Sequence, residues 1–177
     1  MIYDMITDIL SRKELRRGVL YALFLLAALA VQNVLFAQVK VFGIRPMPMP
    51  LAVVAVGLFE GGLFGGVFGL FAGIFCDAAF IESLPAFTVV YSLIGFFTGL
   101  SADFAMNRRF FPYLLLCVAA LILTVAAQMF RFLVFTDTDP QFVLTVAGIQ
   151  TALSLPFAPA AYLPCKALGR GRRNLLL

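Results

Sequence analysis

Long apolar runs separated by short polar or proline-bearing breaks make up most of the chain. The first run extends from Gly18 to Ala37, and about 20 mostly apolar residues suffice for a membrane-spanning helix. The loop "QVKVFGIRPMPMP" follows, and its three prolines cannot sit within a helix, although one can begin the next. From Met47 to Ile81 the chain is again apolar. As one helix this stretch would measure about 52 Å at ~1.5 Å per residue, too long for a bilayer core of about 30 Å. It has to break, and Glu60-Gly61-Gly62 is the polar, turn-competent point within it. The pattern therefore predicts a short helix from Met47 to Phe59 and a second from Gly61 to Phe80. A fourth span is expected from Leu84 to Leu100 and a fifth from Phe110 to Phe135. After "TDTDP" a sixth runs from Gln141 to Leu168, loosened by Pro156, Pro159 and Pro164.

Charge orients these runs. Arg12, Lys13, Arg16 and Arg17 precede the first span, Arg108 and Arg109 separate the fourth and fifth, and Lys166, Arg170, Arg172 and Arg173 close the sixth. With six spans all of these fall on one side, which the positive-inside rule assigns to the cytoplasm. Five spans would place the first cluster opposite the other two. The expected fold is thus all-α: a polytopic membrane protein with six transmembrane helices and both termini inside. Its parts are a cytoplasmic interfacial segment over 1–16, a six-helix domain over 17–168 and a basic cytoplasmic tail over 169–177. Ile2, Met5, Ile6, Ile9 and Leu10 recur at helical spacing, as in a short helix lying on the membrane surface. The charged N-terminal stretch does not read as a cleavable signal, so the first span is expected to stay in the mature protein.

Composition agrees with the pattern. The chain of 177 residues is 63% hydrophobic and 12% charged, with a mean hydropathy of +1.03. Soluble domains are about 45–50% apolar and about 25% charged. The net charge of +4 comes from basic clusters beside apolar runs, as at membrane flanks, and not from a nucleic-acid-binding patch. Histidine is absent, which removes the commonest general base and metal ligand. Cys76, Cys117 and Cys165 stand singly and read as small apolar residues of buried helices. No pair of carboxylates at catalytic spacing and no nucleophile beside a base is present, so neither an enzyme nor a cofactor or metal site is expected.

One stretch asks for its own explanation. In "GLFEGGLFGGVFGLFAGIFCD" glycines stand at 57, 61, 65, 69 and 73, and Asp77 falls on the same count. A phosphate-binding loop would need a lysine and a hydroxyl in G-x-x-x-x-G-K-[ST], but no Lys or Arg lies between Arg45 and Arg108. Within a bilayer, small residues at i, i+4 let helix backbones approach closely. Gly61, Gly65, Gly69 and Gly73 form such a row, with Gly95 and Gly99 giving the following helix a shorter one. The row is read as internal helix packing, with partner docking as the other use. Asp77 ends the third helix, where an acid is unfavourable with respect to that helix's dipole. It is either solvated or paired at the outer face with Arg45 or Arg131. Glu60 is read as solvated. Asn33, Gln38, Gln128 and Gln150 are read as hydrogen bonders between helices.

The order of these features resembles the rod shape-determining MreD family of bacteria. It is carried by "IRPMPMPLAVVAVGLFEGGLFGGVFGLFAGIFCDAAF", "YSLIGFFTGL" and "AAYLPCKALGRGRR": an early Arg-Pro before a short helix, a glycine-rich helix ending in Asp, a G-x-x-x-G helix, and a last helix ending in Pro and basic residues. The resemblance implies a multi-pass, non-enzymatic scaffold of the cytoplasmic (inner) membrane, acting in the elongation machinery for side-wall peptidoglycan and so in cell shape. It implies MreC, a RodA-type glycosyltransferase with its transpeptidase, and indirectly MreB filaments as partners, with no cofactor and no nucleic acid. The rival class is the substrate-capture subunit of an energy-coupling-factor vitamin transporter. Small residues in the first helix (Ala22, Ala27, Ala28, Ala30) suit it, but the outer loops offer few convergent polar groups.

Overall fold

The computed structural model describes residues 12–32, 46–80, 86–104, 110–135 and 140–173. The fold is all-α. In chain order the helices are α1 (Arg12–Ala30), α2 (Met49–Glu60), α3 (Gly62–Phe80), α4 (Ala86–Phe104), α5 (Phe110–Phe135), α6 (Pro140–Ser154), a 3₁₀ turn (Leu155–Phe157) and α7 (Ala158–Arg173). The expected interfacial helix over residues 2–10 lies outside the described residues.

The expectation of six transmembrane helices, and the two-termini-inside arrangement built on it, is not upheld. Among the described residues, two helical stretches are long and apolar enough to cross a membrane, Gly62–Ala79 and Phe110–Gln128. The apolar part of α1, Gly18–Ala30, and α4 from Ala86 to Ala102 are shorter. α2 has 12 residues, about 18 Å at ~1.5 Å per residue, well under the ~30 Å core. The expected sixth span is two helices, because Pro156 sits in the 3₁₀ turn between α6 and α7. For α2 the physical reason is that apolarity records only that a segment avoids water, and protein can cover it as well as lipid; α1 and α4 are instead too short in their apolar part. The two long helices are consistent with a membrane-embedded protein. Their outward faces carry large apolar side chains, with Leu63 82% and Phe111 74% exposed, and so broad an apolar surface is unusual on a soluble monomer.

α2 is the covered segment. Every residue from Met49 to Phe59 is buried, and α1, α3, α4, α5 and α7 all pack on it. Starting a helix inside a core leaves backbone donors without partners, and the sequence Pro46-Met47-Pro48-Met49-Pro50 limits them. Its prolines carry no N–H. The Met47 N–H donates to Ser154 Oγ at 3.0 Å, while Leu51 and Ala52 donate to the Pro48 carbonyl at 3.1 and 3.3 Å. The Ser154 hydroxyl donates onward to the Gln150 carbonyl at 2.7 Å. The Tyr113 hydroxyl reaches the carbonyls of Leu51 and Ala158 at 3.2 and 3.0 Å, joining α5 to α2 and α7. Rings of Phe59, Phe110 and Tyr113 surround Tyr162 of α7 at 5.0–5.3 Å.

Candidate functional site

The break between α2 and α3 falls on Gly61, whose φ of 94° is open to glycine and strained for other residues. Its N–H donates to the Gly57 carbonyl and its carbonyl accepts from the Gly65 N–H, both at 2.9 Å. One residue thus reverses the chain, so that Gly57 and Gly65 face each other four positions either side of the turn. α4 then runs antiparallel to α3, and the α3–α4 interface is the most extensive among the described residues.

Backbones meet along this interface. A Cβ on Gly65 would stand 2.5 Å from the Gly95 carbonyl oxygen and 2.6 Å from the Gly57 Cα. On Gly57 it would stand 2.7 Å from that same Gly95 oxygen. Gly57, Gly65 and Gly95, one from each of α2, α3 and α4, therefore form a node in which any side chain would displace a helix. The contact continues in both directions. A Cβ on Gly69 would overlap the Tyr91 carbonyl, and one on Gly73 would overlap the Thr88 Cα and lie 2.6 Å from the Phe87 carbonyl oxygen. One on Gly99 would overlap Gly61 and Gly62. Approach this close brings glycine Cα–H groups onto facing carbonyls, each contact worth about 0.5–1 kcal/mol. All six glycines singled out in the sequence lie at this junction, with Gly57 as a further member.

Asp77 finds its partners at the end of the same interface. Because α3 and α4 are antiparallel, the last turn of α3 lies beside the first turn of α4, whose leading N–H groups lack helical acceptors. The Asp77 carboxylate fills that role. Its Oδ1 accepts the Phe87 N–H at 3.1 Å, and its Oδ2 accepts the Thr88 N–H at 2.9 Å and the Thr88 hydroxyl at 2.6 Å. An acid opposed by its own helix dipole is favoured by its neighbour's. Asp77 is 9% exposed, so it is not simply solvated. Arg45, one of its two proposed ionic partners, lies outside the described residues. Of Arg131, only the backbone, in α5, is described.

Other polar groups are engaged locally. The Tyr21 hydroxyl donates to Glu60 Oε1 at 2.7 Å, tying α1 to the end of α2, where the sequence suggested solvation alone. Gln128 donates to Met47 Sδ at 3.0 Å, while Asn33 and Gln38 lie outside the described residues. Gln32, their unremarked neighbour, is buried and donates to Cys76 Sγ at 3.7 Å. Cys76, Cys117 and Cys165 are buried free thiols, and thiols so covered are usually inert. Among the described residues, no group of three or more His, Cys, Asp or Glu side chains could hold a metal. The glycine spacing was legible as packing because the small residues repeat. Nothing in the spacing told which helices would meet, nor that Asp77 would cap the next one. Compared with protein-family models, curated proteins and solved structures, the chain matches none of them.

Proposed function

We propose that the protein is a non-enzymatic scaffold of the bacterial cytoplasmic membrane, of the MreD type, passing through the bilayer more than once. In this role it binds MreC and, with it, the RodA-type glycosyltransferase and transpeptidase of side-wall synthesis, and so maintains cell shape. The observation that carries the reading is the way polar groups are engaged around the glycine node. The Asp77 carboxylate bonds to α4, Glu60 bonds to Tyr21, and the outward faces of α3, α4 and α5 are apolar. Among the described residues, this arrangement offers apolar helix faces to other membrane segments and to lipid, which suits a scaffold. The order of Arg-Pro, glycine helix, terminal Asp and second glycine helix adds the resemblance to MreD.

The groove between α4 and α5, about 150 Å³, supports the same choice against vitamin capture. It is lined by apolar residues such as Leu93, Phe97, Leu116 and Leu123, with Thr98 and Ser101 as its polar members. Both hydroxyls bond to carbonyls of their own helix, those of Ile94 and Phe97. Purification from a bacterial host in mild detergent, followed by identification of co-eluting proteins, tests the proposal. Recovery of MreC with the chain in stoichiometric amount is expected. Recovery of a paired ATPase with bound vitamin, or of the chain without MreC, would refute it.

A further inference from the structure

The two ends of the bundle differ in charge. α1 runs parallel to α3, with Tyr21 beside Phe64 and Phe24 beside Phe68, and Tyr21 bonds to Glu60 at the end of α2. α7 runs parallel to α2. Ser154, shortly before it, meets Met47, the Tyr113 hydroxyl joins Ala158 to Leu51, and Tyr162 lies against Phe59. The first turns of α1 and the last turns of α7 therefore lie at the same end, the one that carries the Gly61 turn. Among the described residues, the basic positions of α1 (Arg12 to Arg17) and of α7 (Lys166 to Arg173) gather there, with Glu14, Glu60 and Asp103 as the acids. At the opposite end the described charges are Asp77 and Arg131.

On each of these helices some cations share a face with exposed apolar side chains. At ~3.6 residues per turn, Arg12 and Arg16 stand in register with Val19, Leu23 and Leu26 along α1. Arg170 and Arg173 stand in register with Leu163 and Lys166 along α7. Val19, Leu23, Leu26 and Leu163 are all more than half exposed. Lys166 is exposed as well, its Nζ 5.4 Å from the centre of the Tyr162 ring. Lys13, Arg17 and Arg172 fall off both lines. We infer that these two faces bind anionic glycerophospholipid, with the phosphate at the cations and an acyl chain along the apolar residues. The chemistry selects this ligand. Basic residues at a membrane surface attract anionic headgroups, and exposed apolar area favours a hydrocarbon cover. An acidic soluble segment would answer the cations and leave the apolar residues in water. A zwitterionic lipid would cover the apolar residues and leave the cations unneutralised. The inference rests on embedding in a bilayer and not on binding to MreC.

The test is thermal unfolding of the full chain in mild detergent, titrated separately with dioleoylphosphatidylglycerol, dioleoylphosphatidylcholine, inorganic phosphate and polyglutamate. A ligand that binds the folded state raises the apparent Tm with its concentration, so phosphatidylglycerol is expected to raise it well above the value in phosphatidylcholine. Phosphate and polyglutamate, which carry charge without a chain, are expected to raise it less. Each cation removed from a face should weaken the apparent affinity for phosphatidylglycerol by about fivefold. Lys166→Gln with Arg170→Gln should thus weaken it by about 25-fold, and Arg12→Gln with Arg16→Gln by a similar factor. Lys13→Gln with Arg172→Gln, both off the lines, should leave it nearly unchanged. The Tm of each variant in phosphatidylcholine reports its folding, and the difference between the two lipids reports binding, so a destabilised variant still gives an answer. Equal Tm values in the two lipids would overturn the inference. So would an equal rise with phosphate or polyglutamate, which would mark a site for free anions or acidic protein, and so would equal losses from substitutions on and off the lines.

Discussion

Gly69→Ala adds one carbon at the place where α3 and α4 leave least room. That carbon would overlap the Tyr91 carbonyl oxygen, stand 2.6 Å from its carbon and 3.0 Å from the Ser92 nitrogen. All three are backbone atoms in mid-helix, so no rotamer change relieves the overlap. Ordinary van der Waals contact needs 3.4–4 Å, and the helices must therefore separate locally by about 1 Å. A gap of that size forfeits about a quarter to a half of each dispersion contact along it, and overpacking in protein interiors costs about 1–3 kcal/mol. Alanine's better helix propensity returns about 0.8–1 kcal/mol. A net loss of up to about 2 kcal/mol follows, seen as an apparent Tm lower by up to about 8 °C in detergent. Two other glycines calibrate the measurement. On Gly66 a Cβ meets Phe96 Cβ at 3.4 Å and the Ser92 oxygen at 3.7 Å, and on Gly148 it meets nothing within 4 Å. Alanine at these positions should leave the Tm unchanged or raise it. If Gly69→Ala proves as stable as Gly66→Ala, the backbones do not approach as described and the glycine node is not a packing device.

Further outcomes follow from the same contacts. Asp77→Ala removes the acceptor for three donors and should destabilise by about 2 kcal/mol or more, with Thr88→Val costing less in the same melting assay. A double-mutant cycle between Asp77 and Arg131 decides whether an ion pair adds to the cap, a coupling above about 0.5 kcal/mol marking the pair. Ser154→Ala leaves the buried Met47 N–H without its acceptor and should cost about 1–3 kcal/mol, read as a lower Tm and a lower steady-state amount. Tyr113→Phe should lose about 0.5–1.5 kcal/mol and loosen α7, read as faster proteolysis near Ala158.

The break at Gly61 was legible because an apolar run too long for one helix had to turn, and "EGG" offered a single polar point. α2 was not legible as a buried helix. Alternating Ala, Val and Leu look alike whether lipid or protein covers them, and the covering helices α5 and α7 lie far along the chain. Pro156 carried the information that splits the last apolar run, but proline in a membrane-spanning helix is tolerated often enough for the run to be read as one span. Asp77 shows another limit. Its placement at the end of α3 was apparent from the glycine count. Its role depends on α4 returning antiparallel, so that an unfavourable helix end becomes a favourable one. Gln32 gave no signal, since a single glutamine in an apolar run has no period to betray it.

The enclosure of α2 also sets an order of events during synthesis. The ribosome makes α2 early, but two of the helices that cover it, α5 and α7, emerge last, after residue 110 and after residue 158. Until then a nascent chain holds a helix too short to span the bilayer, flanked by α1, α3 and α4 and open on the side that Tyr113 and Tyr162 will close. Chain segments fold in the order they appear, and exposed intermediates attract chaperones and aggregation. A chain cut off before Ala158 would therefore lose its hub along with its last helix, and quality control would see the missing C-terminal segment as an unclosed centre.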